Sequence, residues 1–183
     1  MRGAPHRAPR RPATTADSRG AGASLSHQLA SEQLRHILMF SDGLLVQSAF
    51  DHVYGYTIIN DATARTLQNQ HKQWFLGKSL DGYCPMGPCI VTADEVRDVG
   101  QLQLITRVNG EVRQDAPVSQ LIFDIPTLIE TLSRVMTLEP GDLIATGTCA
   151  GVGIGFNPPK FLKKGDRVAI TIEPIGTLEN PVE

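Results

Sequence analysis

Two short runs along the chain have the residue pattern of β-strands. The run from Gly55 to Asn60 consists largely of β-branched and aromatic residues, which favour extended structure. The run from Arg167 to Glu173 alternates strictly, with Val168, Ile170 and Ile172 on one face. Both runs therefore predict strands, and the second predicts a strand with one face in a hydrophobic core.

Turn residues predict how further strands are connected. Asn109-Gly110 lies between the segments Leu102–Val108 and Glu111–Val118, and this dipeptide supplies the positive φ angles of a type I′ hairpin. Pro140-Gly-Asp turns the chain into Leu143–Thr148, which has the composition of a buried strand.

Two segments have the composition of helices. Residues 61–75 are rich in helix formers and begin with an acid, and Asp124-Ile-Pro-Thr has a capping acid followed by an early proline. The second helix has a predicted apolar face at Leu128, Ile129, Leu132, Val135 and Met136. Strands outnumber helices, so the predicted fold class is α+β, mainly β.

The first 46 residues differ from the rest in composition. Residues 1–23 are dense in Arg, Pro, Ala and Gly without apolar periodicity, which predicts disorder. Their composition suits an organelle transit peptide, and the alternatives are a solvated tail or a wrongly predicted first exon. Apolar residues between Leu25 and Phe40 lie at helical spacing. We therefore place a boundary near residue 46, with one domain over 47–183.

Composition excludes several function classes. The chain has 183 residues, 41% of them hydrophobic and 20% charged, with no apolar run long enough to span a membrane. The net charge of −2 gives no electrostatic reason to expect nucleic-acid binding. Cys84, Cys89 and Cys149 lack the pairing of zinc ligands or of a disulfide framework.

The segment after the first strand carries candidate chemistry. Asp61, Arg65 and Gln68 would share one face of a helix, and Lys78 follows them. An acid, a guanidinium and an amide together suit a hard metal ion beside an anionic ligand. An Asp at a strand-to-helix junction is also a common helix cap, so both interpretations stay open.

The glycine-rich segment 146–155 follows a predicted strand. One interpretation is a turn that needs positive φ angles, and the other is a loop whose amides and hydroxyls bind a carboxylate. Gly147 and Thr148 would supply the amide and the hydroxyl.

Five motifs in order and spacing resemble the fumarylacetoacetate hydrolase family over residues 47–183. They are Gly55–Arg65, Gly77–Pro88, Val108–Glu111, Pro140–Asp142 and Thr146–Thr148. The resemblance implies a mixed β-roll, a homodimer and a divalent ion, usually Mg²⁺ and otherwise Mn²⁺ or Ca²⁺. It also implies hydrolysis, tautomerisation or decarboxylation of 2-oxo or 1,3-dicarbonyl acids, such as acylpyruvates or oxaloacetate, through a metal-stabilised enolate.

The resemblance assigns a role to each candidate residue. It implies that Asp61 binds the metal and that Lys78 is catalytic. Arg65 and Gln68 match positions that line the substrate pocket. Gly147 and Thr148 match a turn that holds the substrate carboxylate, with Thr148 also in the catalytic set.

The chain departs from the family pattern in its metal ligands. The family supplies two further ligands from a Glu-x-Glu motif, and this sequence contains none. We therefore expect weak binding of Mg²⁺. Two hypotheses follow: an enzyme whose N-terminal part is truncated or wrongly spliced, or a catalytically impaired remnant that binds a small acid or a full-length partner. A mitochondrial or cytoplasmic location is compatible with the sequence.

Overall fold

The computed structural model describes residues 46–71 and 74–183, without the side chain of His71. Both ranges belong to one structural unit, Phe40–Glu183. The predicted disorder over residues 1–23 and the helical spacing between Leu25 and Phe40 lie outside the described residues. Within the described part, no helix is both long and apolar enough to cross a membrane.

The larger sheet has four antiparallel strands in the order β4-β3-β5-β6. These are β3 (Gln103–Val108), β4 (Glu111–Pro117), β5 (Arg167–Ile172) and β6 (Gly176–Pro181). The β3–β4 hairpin turns at Asn109 and Gly110, with φ angles of 51° and 85°. The predicted hairpin is therefore confirmed, because both turn residues adopt the positive φ that a type I′ turn requires.

The smaller sheet pairs β1 (Gly55–Ile59) with β2 (Met86–Thr92) in antiparallel orientation. Its Ile58 and Val91 pack into one apolar cluster with residues of β5 and their neighbours. The full buried set of this cluster is Ile58, Val91, Val96, Val108, Val168, Ile170, Ile172, Ile175 and Leu178. The alternation of β5 thus places its apolar face in the core, as predicted.

The described residues include three α-helices, which lie outside the sheets: α1 (Arg65–His71), α2 (Trp74–Lys78) and α3 (Ile125–Ser133). The Asp124 carboxylate accepts a hydrogen bond from the Thr127 amide at 2.9 Å, which confirms the predicted cap of α3. Short 3₁₀ turns occupy Val46–His52, Ala93–Glu95, Val99–Gln101, Val118–Gln120 and Gly153–Gly155. Within residues 46–71 and 74–183, more residues lie in strands than in α-helices, which confirms the mixed α+β class.

Two predictions of secondary structure were wrong, one about the end of a helix and one about a further strand. The α3 helix ends at Ser133, so Val135 and Met136 are exposed rather than part of its apolar face. Leu143–Thr148 forms no strand, and Leu143 is 53% exposed. Among the described residues, no strand pairs with this segment. An apolar composition favours a strand, but a strand also needs a neighbour with which to form backbone hydrogen bonds.

Candidate functional site

The close packing of α1 against α2 positions the first group of candidate residues. Gly77 of α2 is buried, and a Cβ atom there would lie 2.7 Å from the Cβ of Gln68 and 3.0 Å from the carbonyl oxygen of Ala64. The amide of Ala64 donates a hydrogen bond to the carbonyl of Gly77 at 2.8 Å. The absence of a side chain at Gly77 therefore lets the end of α2 lie against the start of α1.

Asp61 and Lys78 form an ion pair across this junction. Lys78 Nζ donates to Asp61 Oδ2, and the two side chains are 27% and 48% exposed, respectively. The prediction that Asp61 begins the helix and shares its face with Arg65 and Gln68 was wrong, because α1 begins only at Arg65. The preceding loop is held to α2 through Ala64, so the Asp61 carboxylate meets the end of α2 instead of capping α1.

Arg65 and Gln68 form the second contact of this group. The Arg65 guanidinium donates to Oε1 of Gln68 at 2.7 Å, and Gln68 is only 6% exposed. Because a guanidinium can only donate, this bond fixes which end of the Gln68 amide faces Arg65. The buried Nε2 atom has no hydrogen-bond partner among the described residues, which leaves a donor in need of an acceptor.

Thr148 and Gly147 lie in a separate group beside β4. Gly147 has a φ of 110°, and Thr148 Oγ1 accepts a hydrogen bond from Nε2 of Gln114 at 2.8 Å. The same Nε2 donates to the carbonyl of Cys149 at 3.0 Å. No hydrogen bond between described residues joins this group to that of Asp61 and Lys78.

Sequence reasoning missed Gln114. A usable signal was its place on β4, where period-two alternation puts it on the same face as the buried Ala116. A polar side chain on the inward face of a strand needs a hydrogen-bond partner, and here the partner is the glycine-rich loop.

The far end of the glycine-rich loop is fixed by charged and aromatic contacts. The Phe156 ring has Arg113 and Lys160 cations at 5.4 and 4.9 Å from its centroid. Lys160 Nζ also donates to Glu111 Oε1 at 2.6 Å, and this bond lowers the pKa of Glu111 below its ordinary value. At Cys149, partial burial raises the pKa of the thiol above its ordinary value.

The donor set for a metal ion is incomplete among the described residues. In residues 46–71 and 74–183, no three His, Cys, Asp or Glu side chains are grouped as a metal site. Asp61 offers one carboxylate, and that carboxylate is paired with Lys78. Mg²⁺ and Ca²⁺ need six or more oxygen ligands, so the described side chains alone do not fit a firmly held divalent ion.

Comparison with known proteins gives the wider context. The sequence profile of the family "Fumarylacetoacetate (FAA) hydrolase C-terminal" matches residues 39–183. Oxaloacetate tautomerase YisK of Bacillus subtilis is 60% identical over 136 residues, which are 74% of this chain and 45% of that protein.

Solved structures agree with this match. The fumarylacetoacetate hydrolase of Exiguobacterium antarcticum superimposes with a TM-score of 0.75 at 50% identity, over 78% of this chain and 51% of that one. Maleylpyruvate hydrolase from Sphingobium sp. SYK-6, in complex with manganese(II) and pyruvate, superimposes with a TM-score of 0.66 at 38% identity. That alignment covers 77% of this chain and 48% of the other.

The chain spans about half the length of the relatives it matches. Members of the matched family include proteins named as hydrolases, isomerases and a tautomerase. The profile match covers well over half of the chain, and the resemblance stated from the motifs is thereby confirmed. This chain belongs to the fumarylacetoacetate hydrolase C-terminal family.

Proposed function

We propose that this chain binds a 2-oxo or 1,3-dicarbonyl acid and takes part in its tautomerisation, hydrolysis or decarboxylation. Its similarity to an oxaloacetate tautomerase and to a maleylpyruvate hydrolase supports this class of substrate. Both names describe small acids in which a carbonyl lies near a carboxylate.

The observation that carries the proposal is the unpartnered Nε2 of Gln68. A buried donor without an acceptor costs about 1–3 kcal/mol, and an oxygen of a bound acid would recover that cost. The Arg65 contact holds the Gln68 amide in the required orientation in advance. A buried amide that is already oriented and still lacks an acceptor is what a binding site for an oxygen ligand requires.

The two cations of the group suit an acidic ligand. Lys78 is partly exposed and uses one N–H for Asp61, so further N–H donors remain for a substrate oxygen. Arg65 likewise has N–H donors beyond the one given to Gln68. In the proposed reaction, Lys78 lies beside the carbonyl oxygen and stabilises the negative charge that develops there as an enolate forms. Thr148 and the amide of Gly147 would bind the carboxylate.

A divalent ion would add a further positive charge to such a site. The manganese and pyruvate of the Sphingobium relative support a metal-assisted reaction in this family. In this chain, Asp61 would contribute one ligand to that ion. With one carboxylate, we expect weak binding that improves when the acid is bound at the same time.

A second candidate function follows from that single carboxylate. The chain would then bind the acid, or a full-length partner, without turning the acid over. Two measurements distinguish these functions. Oxaloacetate turnover is followed by absorbance with and without Mn²⁺, and pyruvate binding is measured by calorimetry. Binding with metal-stimulated turnover supports the enzyme, and binding without turnover supports the second function. Absence of pyruvate binding overturns the enzyme and the acid-binding form of the second function.

A further inference from the structure

Gln114 connects the outer strand of the sheet to the loop that carries Thr148. β4 is the terminal strand in the order β4-β3-β5-β6, so one side of it is not used by the sheet. The glycine-rich loop lies against this strand, because a Cβ atom on Gly151 would lie 1.9 Å from the carbonyl oxygen of Arg113. The loop backbone can approach β4 this closely only because residue 151 is a glycine, since any side chain there would collide with the strand.

The two acceptors of Gln114 define the direction of its hydrogen bonds. The carbonyl of Cys149 can only accept, so the group that faces it at 3.0 Å is the amide nitrogen Nε2. The same nitrogen lies 2.8 Å from Thr148 Oγ1, which therefore accepts as well. The proton of the Thr148 hydroxyl is not used in this contact and is available to another acceptor.

We propose that Gln114 is a positioning residue, which holds Thr148 so that its hydroxyl proton is directed to the carboxylate of the bound acid. The proposal rests on the proposed role of Thr148 in acid binding. A hydroxyl that accepts from an amide becomes a better donor, because linked hydrogen bonds polarise one another. Gln114 thus fixes both the place of the hydroxyl and the direction in which it donates.

The far end of the loop does not depend on Gln114. The amide of Lys160 donates to the carbonyl of Gly153 at 2.8 Å, and Lys160 is bound in turn to Glu111 of β4. Loss of the Gln114 amide should therefore release residues 147–149 while the rest of the loop stays attached to the sheet.

Two substitutions separate position from direction. Gln114→Met keeps the length of the side chain and removes both hydrogen bonds. Gln114→Glu keeps the length and polarity but has no N–H, so the Thr148 hydroxyl would donate to the new carboxylate and lose its proton for the acid. Gln103→Met is the matched control, because Gln103 makes its own side-chain bond to Asp115 across the same hairpin.

Pyruvate affinity, measured by calorimetry on the full chain, tests the proposal. We expect each Gln114 variant to weaken binding about tenfold, the equivalent of one hydrogen bond to a charged group, and Gln103→Met to leave it unchanged. In a Thr148→Val background, Gln114→Met should have a smaller effect, because no hydroxyl remains to be positioned and only the place of the Gly147 amide can still change. An equal loss in both backgrounds would overturn the proposal and show a general structural role instead.

A second readout does not need the ligand. Alkylation of Cys149, followed by mass spectrometry with the exposed Cys84 and Cys89 as internal references, reports release of residues 147–149. We expect faster alkylation of Cys149 in Gln114→Met than in wild type or Gln103→Met. If wild type binds no pyruvate, the proposed function fails, and faster alkylation still supports the contact with Gln114. Unchanged alkylation overturns the proposed positioning in either case.

Discussion

Arg65 donates a hydrogen bond to Oε1 of Gln68 at 2.7 Å, and it thereby orients a buried amide whose Nε2 has no partner among the described residues. The pair lies within a single turn of α1, so its geometry is set by the helix itself. Such an arrangement costs folding free energy, and a ligand oxygen that supplied the missing acceptor would recover that cost.

Replacement of Gln68 by Met should separate binding from stability. The Met side chain has similar volume and no unsatisfied amide, so we expect an unfolding free energy within about 1 kcal/mol of wild type. Pyruvate binding should weaken about tenfold or more, because the acid loses a buried donor. Chemical denaturation and calorimetry on the same sample check the two parts. A variant that binds pyruvate as wild type does would contradict the assigned role of Gln68.

Addition of one methyl group at Gly77 should disturb the packing of α1 against α2, and with it the position of Gln68. Gly77→Ala places a Cβ atom 2.7 Å from that of Gln68, so α1 and α2 must move apart. We expect a loss of about 1–3 kcal/mol in unfolding free energy, together with weaker pyruvate binding. Gly155→Ala is the control, because its Cβ would meet only Val152 Cγ2, at 3.8 Å. Equal stability of the two variants in denaturant titrations would show that the close approach at Gly77 is not needed.

Lys78 should matter through its charge. Lys78→Met removes the cation beside Asp61, and we expect both pyruvate binding and any oxaloacetate turnover to fall by about tenfold or more. Lys78→Arg keeps the charge and should retain part of the binding. The exposed Lys164 offers a control substitution to Met. If Lys78→Met and Lys164→Met bind pyruvate equally well, Lys78 has no role in the site.

Divalent ions should bind weakly and together with the acid. Asp61 is the one carboxylate given to this site by the described residues, so a Mn²⁺ titration alone should show little heat. A titration in saturating pyruvate should give tighter binding, and Asp61→Asn should abolish the difference. Tight Mn²⁺ binding without pyruvate would contradict this expectation and indicate ligands beyond Asp61.

The carboxyl of Asp166 should make stability depend on acid pH. Its pKa lies below the ordinary value of 3.8, chiefly because it accepts hydrogen bonds from Asn109 and from the amide of Lys163. A lowered pKa in the folded state contributes stability above the unfolded value, which is lost as the pH falls through the folded one. Thermal melts of Asp166→Asn should therefore differ from wild type at pH 7, and the difference should shrink as the pH falls through the lowered pKa of Asp166. Asp81→Asn, at an exposed position, is the control and should leave the melting temperature at pH 7 unchanged.

Local patterns predicted those parts of the fold that local contacts determine. The Asn109-Gly110 turn and the Asp124 cap depend on residues within a few positions of each other, and both were predicted correctly. The strand expected at Leu143–Thr148 was not found, because a strand needs a pairing partner that composition does not reveal.

The sequence proposed the members of the candidate site, but it did not predict how their side chains are arranged. Motif resemblance selected Asp61 and Lys78, which the structure brings together, but helical spacing wrongly placed Asp61 on α1. The contact between Gln114 and Thr148 joins positions 34 residues apart. Period-two alternation could indicate that Gln114 faces inward, but only tertiary packing determines that its partner is Thr148.

The side-chain amide of Gln68 offers the most direct test of acid binding. Two-dimensional ¹⁵N–¹H NMR of the full chain can follow its Nε2 resonances, which are assigned by their loss in Gln68→Met, while pyruvate is added. We predict that these resonances shift progressively and saturate with the same affinity that calorimetry gives for pyruvate. Saturable pyruvate binding that leaves the Gln68 amide unshifted, or no saturable binding at all, would contradict the account.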